Sequence, residues 1–238
     1  MRIFCLFVVY LQLVAGHSRG GKGSLLLGSH YPDLFLGIVS ISGYSDREMY
    51  GDANIQFDLD TQMPFLDAKL LAIQLATVAE NDAAFSVNNL AATNISVFLR
   101  SGGSDTTVNP YFQRHLLRLL HNAQVPTTFE EKPGVSHWTW DWTKPEDGGM
   151  VFDPIVRRFI NQRFQQPRSK LVLPLVVTVL NPSTFGSVGG ILIRGLRSRL
   201  EKGMISISRA CLAVDCPLVF IPRNVVRFTV LPTFFSRL

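Results

Sequence analysis

The sequence has little cysteine and no cluster of metal-binding side chains. Of its 238 residues three are cysteines, Cys5, Cys211 and Cys216, too few for the disulfide framework of a small secreted domain. Cys211 and Cys216 could pair across a turn in an oxidising compartment, but free buried thiols are the default expectation. Because there is no CxxC pair and no histidine cluster, the sequence predicts neither a metal nor another cofactor.

The sequence also lacks an apolar run long enough for a membrane helix. The run from Ile3 to Ala15 is too short to cross a bilayer, so no transmembrane span is predicted. Its basic start and small-residue end are typical of a signal peptide. The same run also has the composition of a buried parallel strand. We favour the strand, because cleavage near Ala15 would remove the support of the motif that follows, and we make no prediction of localisation.

Acidic residues are scarce at one end of the chain. Residues 1–166 carry 13 Lys and Arg against 16 Asp and Glu, whereas residues 167–238 carry 10 against 2. This shift predicts two regions, an α/β region over residues 1–166 and a basic, β-rich accessory domain over residues 167–238. The basic residues of the second region are scattered, without interleaved aromatic residues. This pattern indicates a solvated face and not a nucleic-acid site.

The order of periodic segments predicts a parallel α/β sheet with flanking helices. Predicted strands cover Ile3–Ala15, Leu36–Gly43, Asn94–Arg100 and Val125–Glu131. Predicted helices cover 21–28, Phe65–Glu80, a stretch from Asn109 through Leu120, and Pro154–Phe164. Residues Tyr44–Asp60 are polar and acidic, which predicts a loop. In the second region, strands are expected at Val172–Leu180 and Met204–Ser208.

The pentapeptide Gly16-His17-Ser18-Arg19-Gly20 lies between the first strand and the first helix. Strand, Gly-x-Ser-x-Gly and helix is the context of a nucleophile elbow, a turn that exposes the serine Oγ above the sheet. Such a tight turn is expected to accept only glycine at the two flanking positions, Gly16 and Gly20. Gly21 and Gly23 are expected to let the helix lie close to the strand.

Two further residues stand where the partners of a serine nucleophile are expected. Asp105 follows the third strand and His137 follows the fourth, which gives the order Ser, Asp, His along the chain. His137 would take the proton of Ser18, and Asp105 would fix its tautomer. The N–H of Arg19, at the helix N-terminus, would be one oxyanion donor.

The sequence offers other residues for the acid and the base. Asp46, Asp52 and Asp141 are alternatives for the acid, but the Gly102-Gly103 pair before Asp105 lets its loop turn inward. Among the five histidines, His137 is favoured because it lies on a loop after a strand. Trp138, Trp140 and Trp142 alternate directly after it. Trp138 and Trp140 are candidate walls of a substrate pocket, although packing of the histidine loop is the favoured interpretation.

Several motifs carry a resemblance to a known family. They are Gly-His-Ser-Arg-Gly-Gly at residues 16–21, Tyr-Pro-Asp-Leu-Phe at 31–35, Gly-Gly-Ser-Asp at 102–105, and the stretch from Phe129 to Trp138. Together they resemble the catalytic domain of the prolyl oligopeptidases, the S9 serine peptidases of the α/β-hydrolase superfamily. Residues 181–191 and 224–228 are similar to a β-rich C-terminal region of S9-like hydrolases. The resemblance implies a triad of Ser18, Asp105 and His137.

The chain departs from this family before the elbow. An α/β hydrolase has several strands and an oxyanion loop before its nucleophile, and no such segment precedes Ser18 here. We therefore expect an N-terminally truncated fold, the C-terminal half of an α/β hydrolase, with an unpaired edge at its first strand where a partner could bind. The predicted function is a serine peptidase acting on peptides. The alternatives are a carboxylic-ester hydrolase and a catalytically silent binding protein.

Overall fold

The computed structural model describes residues 12–45, 67–140 and 152–238, apart from 167, 169, 212 and 214. The strands are Gln12–His17 (β1), Phe35–Ile41 (β2), Ser96–Gly102 (β3), Thr127–Lys132 (β4), Leu175–Val179 (β5), Ile191–Leu196 (β6), Gly203–Arg209 (β7), Leu218–Arg223 (β8) and Val225–Val230 (β9). The helices are Arg19–His30 (α1), Ala68–Glu80 (α2), Val87–Thr93 (α3), Tyr111–Asn122 (α4), Pro154–Gln165 (α5) and Pro232–Phe235 (α6). Most of the predicted strand Ile3–Ala15 and of the predicted acidic loop lies outside these residues.

The first four strands form one parallel sheet in the order β1-β2-β3-β4. This arrangement, with a helix after every strand, confirms the predicted α/β class. In the register, Ile41 pairs with both His17 and Arg100, and Gly102 pairs with Lys132. Because the strands are parallel, their carboxyl ends lie at one edge of the sheet, which is where ligands bind in open α/β folds.

Alternate side chains of the central strands enter two separate cores, as the pleat of a strand requires. One core combines Ile38, Val97 and Leu99 with residues of α1, α3 and α4, namely Leu25, Leu90, Leu116 and Leu120. The other combines Val39, Ile41 and Phe98 with Val156 and Phe159 of α5. Helices therefore cover both faces of the sheet and hold its strand ends in a fixed order.

The region after residue 167 is built from antiparallel strands. A three-stranded sheet, β5-β7-β8, and a two-stranded sheet, β6-β9, share one hydrophobic core around Val177, Ile193, Ile205 and Phe234. The β-rich character of this region is as predicted. On its strands Arg194, Arg223 and Arg227 are exposed, in agreement with the predicted solvated face.

A carboxylate in the first region binds backbone and side-chain donors of the second. Asp33 accepts hydrogen bonds from the N–H groups of Gly189 and Gly190, at 3.0 and 2.9 Å, and from Nη1 of Arg237 at 2.9 Å. The buried Asn89 of α3 adds a second link, because its amide bonds both the N–H and the carbonyl of Thr178 at 2.8 Å. The two regions are thus joined by polar contacts that are partly buried at Asp33 and fully buried at Asn89.

The cysteines of the β-rich region correct one expectation. Cys211 and Cys216 form a disulfide with their Cα atoms 5.7 Å apart, so the default of free buried thiols was wrong for this pair. The physical reason is the connection between β7 and β8. There the N–H of Ala210 donates to the carbonyl of Pro217 at 2.9 Å and brings the two cysteines together across the turn. Cys5 lies outside the described residues.

Helix α2 is shorter than predicted and starts at residue 68 instead of 65. Asp67 is its N-cap and accepts from the N–H groups of Lys69 and Leu70. No residue of α2 is buried. Among the helices that the structure describes, none combines the length and apolarity needed to cross a membrane. Within residues 12–45, 67–140 and 152–238, as far as the structure describes them, no three His, Cys, Asp or Glu side chains lie close enough together to hold a metal ion.

Candidate active site

Ser18 occupies a strained turn between β1 and α1. Its φ of 57° and ψ of −120° lie outside the regions that residues with a Cβ normally adopt. The N–H of Ser18 donates to the carbonyl of Ile41 at 2.9 Å, and its carbonyl accepts from the N–H of Lys22 at 3.0 Å. These bonds fix the turn to β2 and to α1. A strained turn between a strand and a helix is the geometry that a nucleophile elbow requires, and the role of Ser18 as the nucleophile stays a prediction.

The glycines of this turn are not equally constrained. A Cβ at Gly16 would overlap the carbonyl of Gly20, and a Cβ at Gly21 would lie 2.9 Å from the Cα of Gly43. These two positions require glycine. At Gly20 and Gly23 a Cβ would meet no atom within 4 Å, so the expected steric need for glycine at these positions was wrong. Both lie on a side of α1 that faces away from the sheet.

His137 and Asp105 are in direct contact. Nδ1 of His137 donates to Oδ2 of Asp105 at 2.8 Å, and this carboxylate is buried. The other oxygen, Oδ1, accepts the N–H groups of Thr107 and Val108, each at 2.8 Å. A proton held on Nδ1 leaves Nε2 of a neutral imidazole free to accept one, which is the state that a general base requires.

The loop that carries His137 lies directly against the end of β3. The N–H of Gly103 donates to the carbonyl of Lys132 at 2.8 Å, and the N–H of Ser104 donates to the carbonyl of Val135 at 2.9 Å. A Cβ at Gly102 would overlap the carbonyl of Ser136. Close approach of the two loops requires glycine at position 102, whereas a Cβ at Gly103 would lie 3.3 Å from its nearest neighbour, the carbonyl oxygen of Lys132. That this glycine pair turns the Asp105 loop toward the site stays a prediction.

His17 links the elbow to the histidine loop. Its Nε2 lies 2.9 Å from the carbonyl oxygen of His137, and its ring stacks on Trp138 with a centroid distance of 4.5 Å. Burial lowers the pKa of His17, which favours its neutral form. Since His17 is the neighbour of Ser18 in the chain, this contact brings the serine and His137 to the same edge of the sheet. Within the described residues the Ser18 hydroxyl makes no hydrogen bond, and such bonds often form only with substrate.

Ser42 makes a second contact with the same carbonyl. Its Oγ donates to the carbonyl oxygen of His137 at 3.2 Å, and its backbone has a positive φ of 46°. Neither His17 nor Ser42 was recognised from the sequence. The available signal was the position of each, at the carboxyl end of a predicted parallel strand.

The tryptophans surround His17. Trp140 meets the His17 ring edge-on at 4.9 Å and packs against the core that contains Val39 and Phe98. Trp138 contacts His17 on one side and is 49% exposed. Both rings pack against His17, which contacts the histidine loop, as the favoured interpretation expects. A pocket-wall role for Trp138 and Trp140 stays a prediction. Trp142 and the alternative acids Asp46, Asp52 and Asp141 lie outside the described residues.

Arg19 is the first residue of α1 and its side chain is exposed. The first N–H groups of a helix have no acceptor within the helix and point toward its positive end. The backbone of Arg19 therefore meets the elementary requirement for the oxyanion donor predicted from the sequence.

A buried ion network lies below the histidine loop. Arg100 of β3 is fully buried and donates to both carboxylate oxygens of Asp153, at 2.8 and 2.9 Å, and to Glu130 at 2.7 Å. Asp153 is also the N-cap of α5. Burial opposes its charge, but the bonds from Arg100 and from the N–H of Val156 outweigh this cost and lower the pKa of Asp153 to about 2. Lys132 extends the network to the loop, donating to the carbonyl of Thr139 at 2.8 Å.

A family model agrees with this arrangement. The model of the Esterase family, described as "Putative esterase", matches residues 8–144, more than half of the chain. The chain belongs to this esterase family. The matched segment includes Ser18, Asp105 and His137. With its parallel sheet and its elbow, this member of the esterase family is an α/β hydrolase.

The individual proteins that resemble this chain share less than 30% sequence identity with it. A protein of Arthroderma benhamiae described as an uncharacterized secreted protein is 28% identical over 219 residues, which is 91% of this esterase-family chain and 22% of that protein. The chain thus spans about a fifth of the length of this relative. An S-formylglutathione hydrolase of Agrobacterium tumefaciens is 12% identical, with 66% of this chain and 50% of that one covered and a TM-score of 0.45. Dipeptidyl peptidase 4 of Porphyromonas gingivalis is 13% identical, with 65% of this chain and 19% of that chain covered and a TM-score of 0.46.

Proposed function

We propose that this chain is a serine hydrolase that cleaves carboxylic esters through an acyl-enzyme on Ser18. The observation that carries the proposal is the 2.8 Å bond between His137 and the buried Asp105, on a loop whose backbone is tied to the neighbour of Ser18. A serine on a strained elbow, a histidine with its Nε2 free and a buried carboxylate are the parts that acyl transfer needs.

In the proposed reaction His137 Nε2 removes the proton from Ser18 Oγ as this oxygen attacks the substrate carbonyl carbon. The N–H of Arg19 donates to the oxyanion that develops. The C–O bond to the leaving group then breaks, and the alcohol departs with the proton from the His137 imidazolium. Water, activated by the same histidine, hydrolyses the acyl-enzyme and restores Ser18. Asp105 stabilises the imidazolium in both halves of the cycle.

Membership of an esterase family supports an ester as the substrate class. The second candidate is a peptide, and it is supported by the sequence motifs that resemble the S9 peptidases. The two reactions share the acyl-enzyme and differ in the leaving group, which is an alcohol in one case and an amine in the other. The residues assigned above serve either reaction.

Labelling with a fluorophosphonate probe tests the proposal on the purified chain. Wild type is expected to be labelled, while Ser18→Ala and His137→Ala are expected to lose labelling. Ser236→Ala removes a surface hydroxyl that bonds only the carbonyl of Thr233 and serves as the matched control. A folded wild-type chain that is not labelled would refute the serine hydrolase. Rates on p-nitrophenyl acyl esters and on aminoacyl and dipeptidyl naphthylamides then separate esterase from peptidase.

A third candidate, binding of a partner chain, rests on the sheet edge. Among the described residues β1 is an edge strand, with Gln12 and Ala15 exposed. An added strand would pair with its free N–H and carbonyl groups. Protection of β1 amides from hydrogen exchange in a co-purified complex would support this role, and unchanged exchange would contradict it.

We also propose that residues 1–166 and 167–238 are two domains with separate tasks, the first carrying the chemistry. The proposal is supported by a hydrophobic core in the β-rich region whose members, apart from Ala92, all lie after residue 167, and by the position of all assigned residues before 166.

A further inference from the structure

We propose that His17 is a positioning residue for the general base, holding the backbone of His137 through its ring N–H. This inference rests on the proposed function, since it assumes that His137 is the base for Ser18. The inference is drawn from a carbonyl oxygen that accepts hydrogen bonds from two side chains. Nε2 of His17 lies 2.9 Å from the His137 carbonyl oxygen, and Oγ of Ser42 lies 3.2 Å from it.

The tautomer of His17 follows from this contact. A carbonyl oxygen can only accept, so the proton must be on Nε2 of His17. The neutral form suffices for this bond, and burial of the ring favours that form by lowering the pKa of His17. His17 is therefore a fixed donor and does not exchange protons with the substrate.

Three aromatic contacts hold the His17 ring in place. It stacks on Trp138 at 4.5 Å, meets Trp140 edge-on at 4.9 Å and lies 4.6 Å from the His137 ring. Its backbone pairs with Ile41 in the sheet. A donor fixed at both its backbone and its ring can define the position of a loop, whereas a mobile surface donor cannot.

The chain geometry makes this contact a link between the nucleophile and the base. Ser18 follows His17 directly, and the N–H of Ser18 is bound to the carbonyl of Ile41 at 2.9 Å. The second donor, Ser42, follows Ile41. The serine turn and the two donors are thus built on the adjacent ends of β1 and β2. Any shift of the His137 loop relative to Ser18 must break at least one of these bonds.

Two substitutions at His17 separate the hydrogen bond from the ring packing. His17→Phe keeps an aromatic ring and loses the donor, and His17→Gln keeps an N–H near the Nε2 position and loses the ring. A displacement of about 1 Å in an active site can cost about 100-fold in rate, so we expect His17→Phe to lower kcat between about 10- and 100-fold with little change in KM. His17→Gln is expected to stay within about 3-fold of wild type. His121→Phe, at an exposed position of α4, is the matched control.

A second readout is independent of activity. The Nδ1 proton of His137, bound to Asp105 at 2.8 Å, is expected to give a low-field proton resonance in wild type and also in Ser18→Ala. We expect this resonance to broaden in His17→Phe and to persist in His17→Gln and His121→Phe. If wild type fails to react with a fluorophosphonate but the resonance responds as expected, the proposed function fails while the finding that His17 holds the His137 loop in place stands.

Ser42 provides a second route to the same test if His17→Phe does not fold. Ser42→Gly removes the hydroxyl and suits the positive φ of 46° at this position. Ser42→Gly leaves His17 as the sole side-chain donor to the His137 carbonyl, so it should lower kcat by less than His17→Phe does.

Double variants then test His17 in a chain that lacks the Ser42 hydroxyl. Adding His17→Gln to Ser42→Gly should keep the His137 resonance, and adding His17→Ala should abolish it. An unchanged kcat and an unchanged resonance in His17→Phe, or in the His17→Ala, Ser42→Gly double variant, would overturn the proposal.

Discussion

The two carboxylate oxygens of Asp105 have different partners, since Oδ2 accepts the Nδ1–H of His137 at 2.8 Å while Oδ1 accepts two backbone N–H groups. The backbone bonds from Thr107 and Val108 hold the carboxylate plane. The bond to His137 then orients the imidazole. A single buried carboxylate thereby fixes both its own orientation and the tautomer of His137, the proposed base.

The first prediction concerns Asp105→Asn. The new amide keeps an oxygen for the two backbone donors but presents its NH₂ group to Nδ1 of His137. The neutral ring then carries its proton on Nε2, so Nε2 can no longer accept the proton of Ser18. We expect kcat to fall by about 10⁴-fold, with the fold retained. Ester hydrolysis and circular dichroism check this. Asp67→Asn, at a capping aspartate that also accepts two backbone N–H groups, should leave the rate unchanged.

The second prediction compares the two glycines that flank the elbow. Gly16→Ala should abolish fluorophosphonate labelling, because its Cβ would overlap the Gly20 carbonyl and force the turn apart. Gly20→Ala should be labelled as wild type is, since its Cβ meets nothing within 4 Å. Alanine in place of a helical glycine should also raise stability by about 0.5 to 1 kcal/mol. Loss of labelling in folded Gly20→Ala would contradict the steric argument.

The third prediction tests the buried ion network. Arg100→Met leaves the carboxylate of Asp153 buried without its guanidinium, and we expect a loss of about 3 to 5 kcal/mol in the free energy of unfolding at pH 7. Urea denaturation measures it. Arg114→Met removes an exposed arginine that pairs with Glu131, and its effect should be small.

The pH dependence of this network has a defined sign. The pKa of Asp153 falls from 3.8 in the unfolded chain to about 2 in the folded chain, so the unfolded state binds the proton more tightly. The contribution of the ionised Asp153 to the free energy of unfolding is complete above about pH 4 and is lost as the pH falls toward 2. The stability difference between wild type and Arg100→Met should therefore shrink over this window. A difference that stays constant from pH 5 to pH 2 would argue against a charged Asp153.

The fourth prediction concerns the bonds between the two regions. Asp33→Asn places an NH₂ group against one of the two N–H donors of Gly189 and Gly190, at a cost of about 1 to 3 kcal/mol. In wild type, tryptophan fluorescence of the first region and tryptic cleavage near Arg194 and Arg223 should report one common transition. In Asp33→Asn, cleavage should begin at lower urea than the fluorescence change. Asp67→Asn again serves as the control, and coincident transitions in Asp33→Asn would show that the contact does not couple the regions.

Much of the parallel sheet could be predicted because local patterns carry it. The predicted strand Leu36–Gly43 differs from β2 by one or two residues at each end, and the triad candidates could be ordered by the loops that follow each strand. Strands β6, β8 and β9 were not predicted as strands. Strands β6 and β9 form a ribbon with register shifts, and all three strands have exposed positions that blur the alternation. Helix α3 was missed as well. Its Asn89 reads as a surface residue, and only the fold brings Thr178 to it, 89 residues away.

The site shows the same division between local and distant information. The proposed roles of Ser18, Asp105 and His137 rest on motifs, but the proposed role of His17 depends on a carbonyl 120 residues further along the chain. The steric need for glycine at position 20 was inferred from the motif alone, and the direction in which a Cβ would point from α1 decides against it.

The bond between Asp33 and Arg237 also has a consequence for synthesis of the chain. It spans 204 residues, so the turn before β2 cannot complete its contacts until residue 237 has left the ribosome. Contacts of such sequence separation form late and slow the folding of a domain. The cores on both faces of the parallel sheet come from residues before 166, so they can pack earlier in synthesis. Docking of the β-rich region through Asp33 is therefore a late step, completed only when synthesis has passed residue 237.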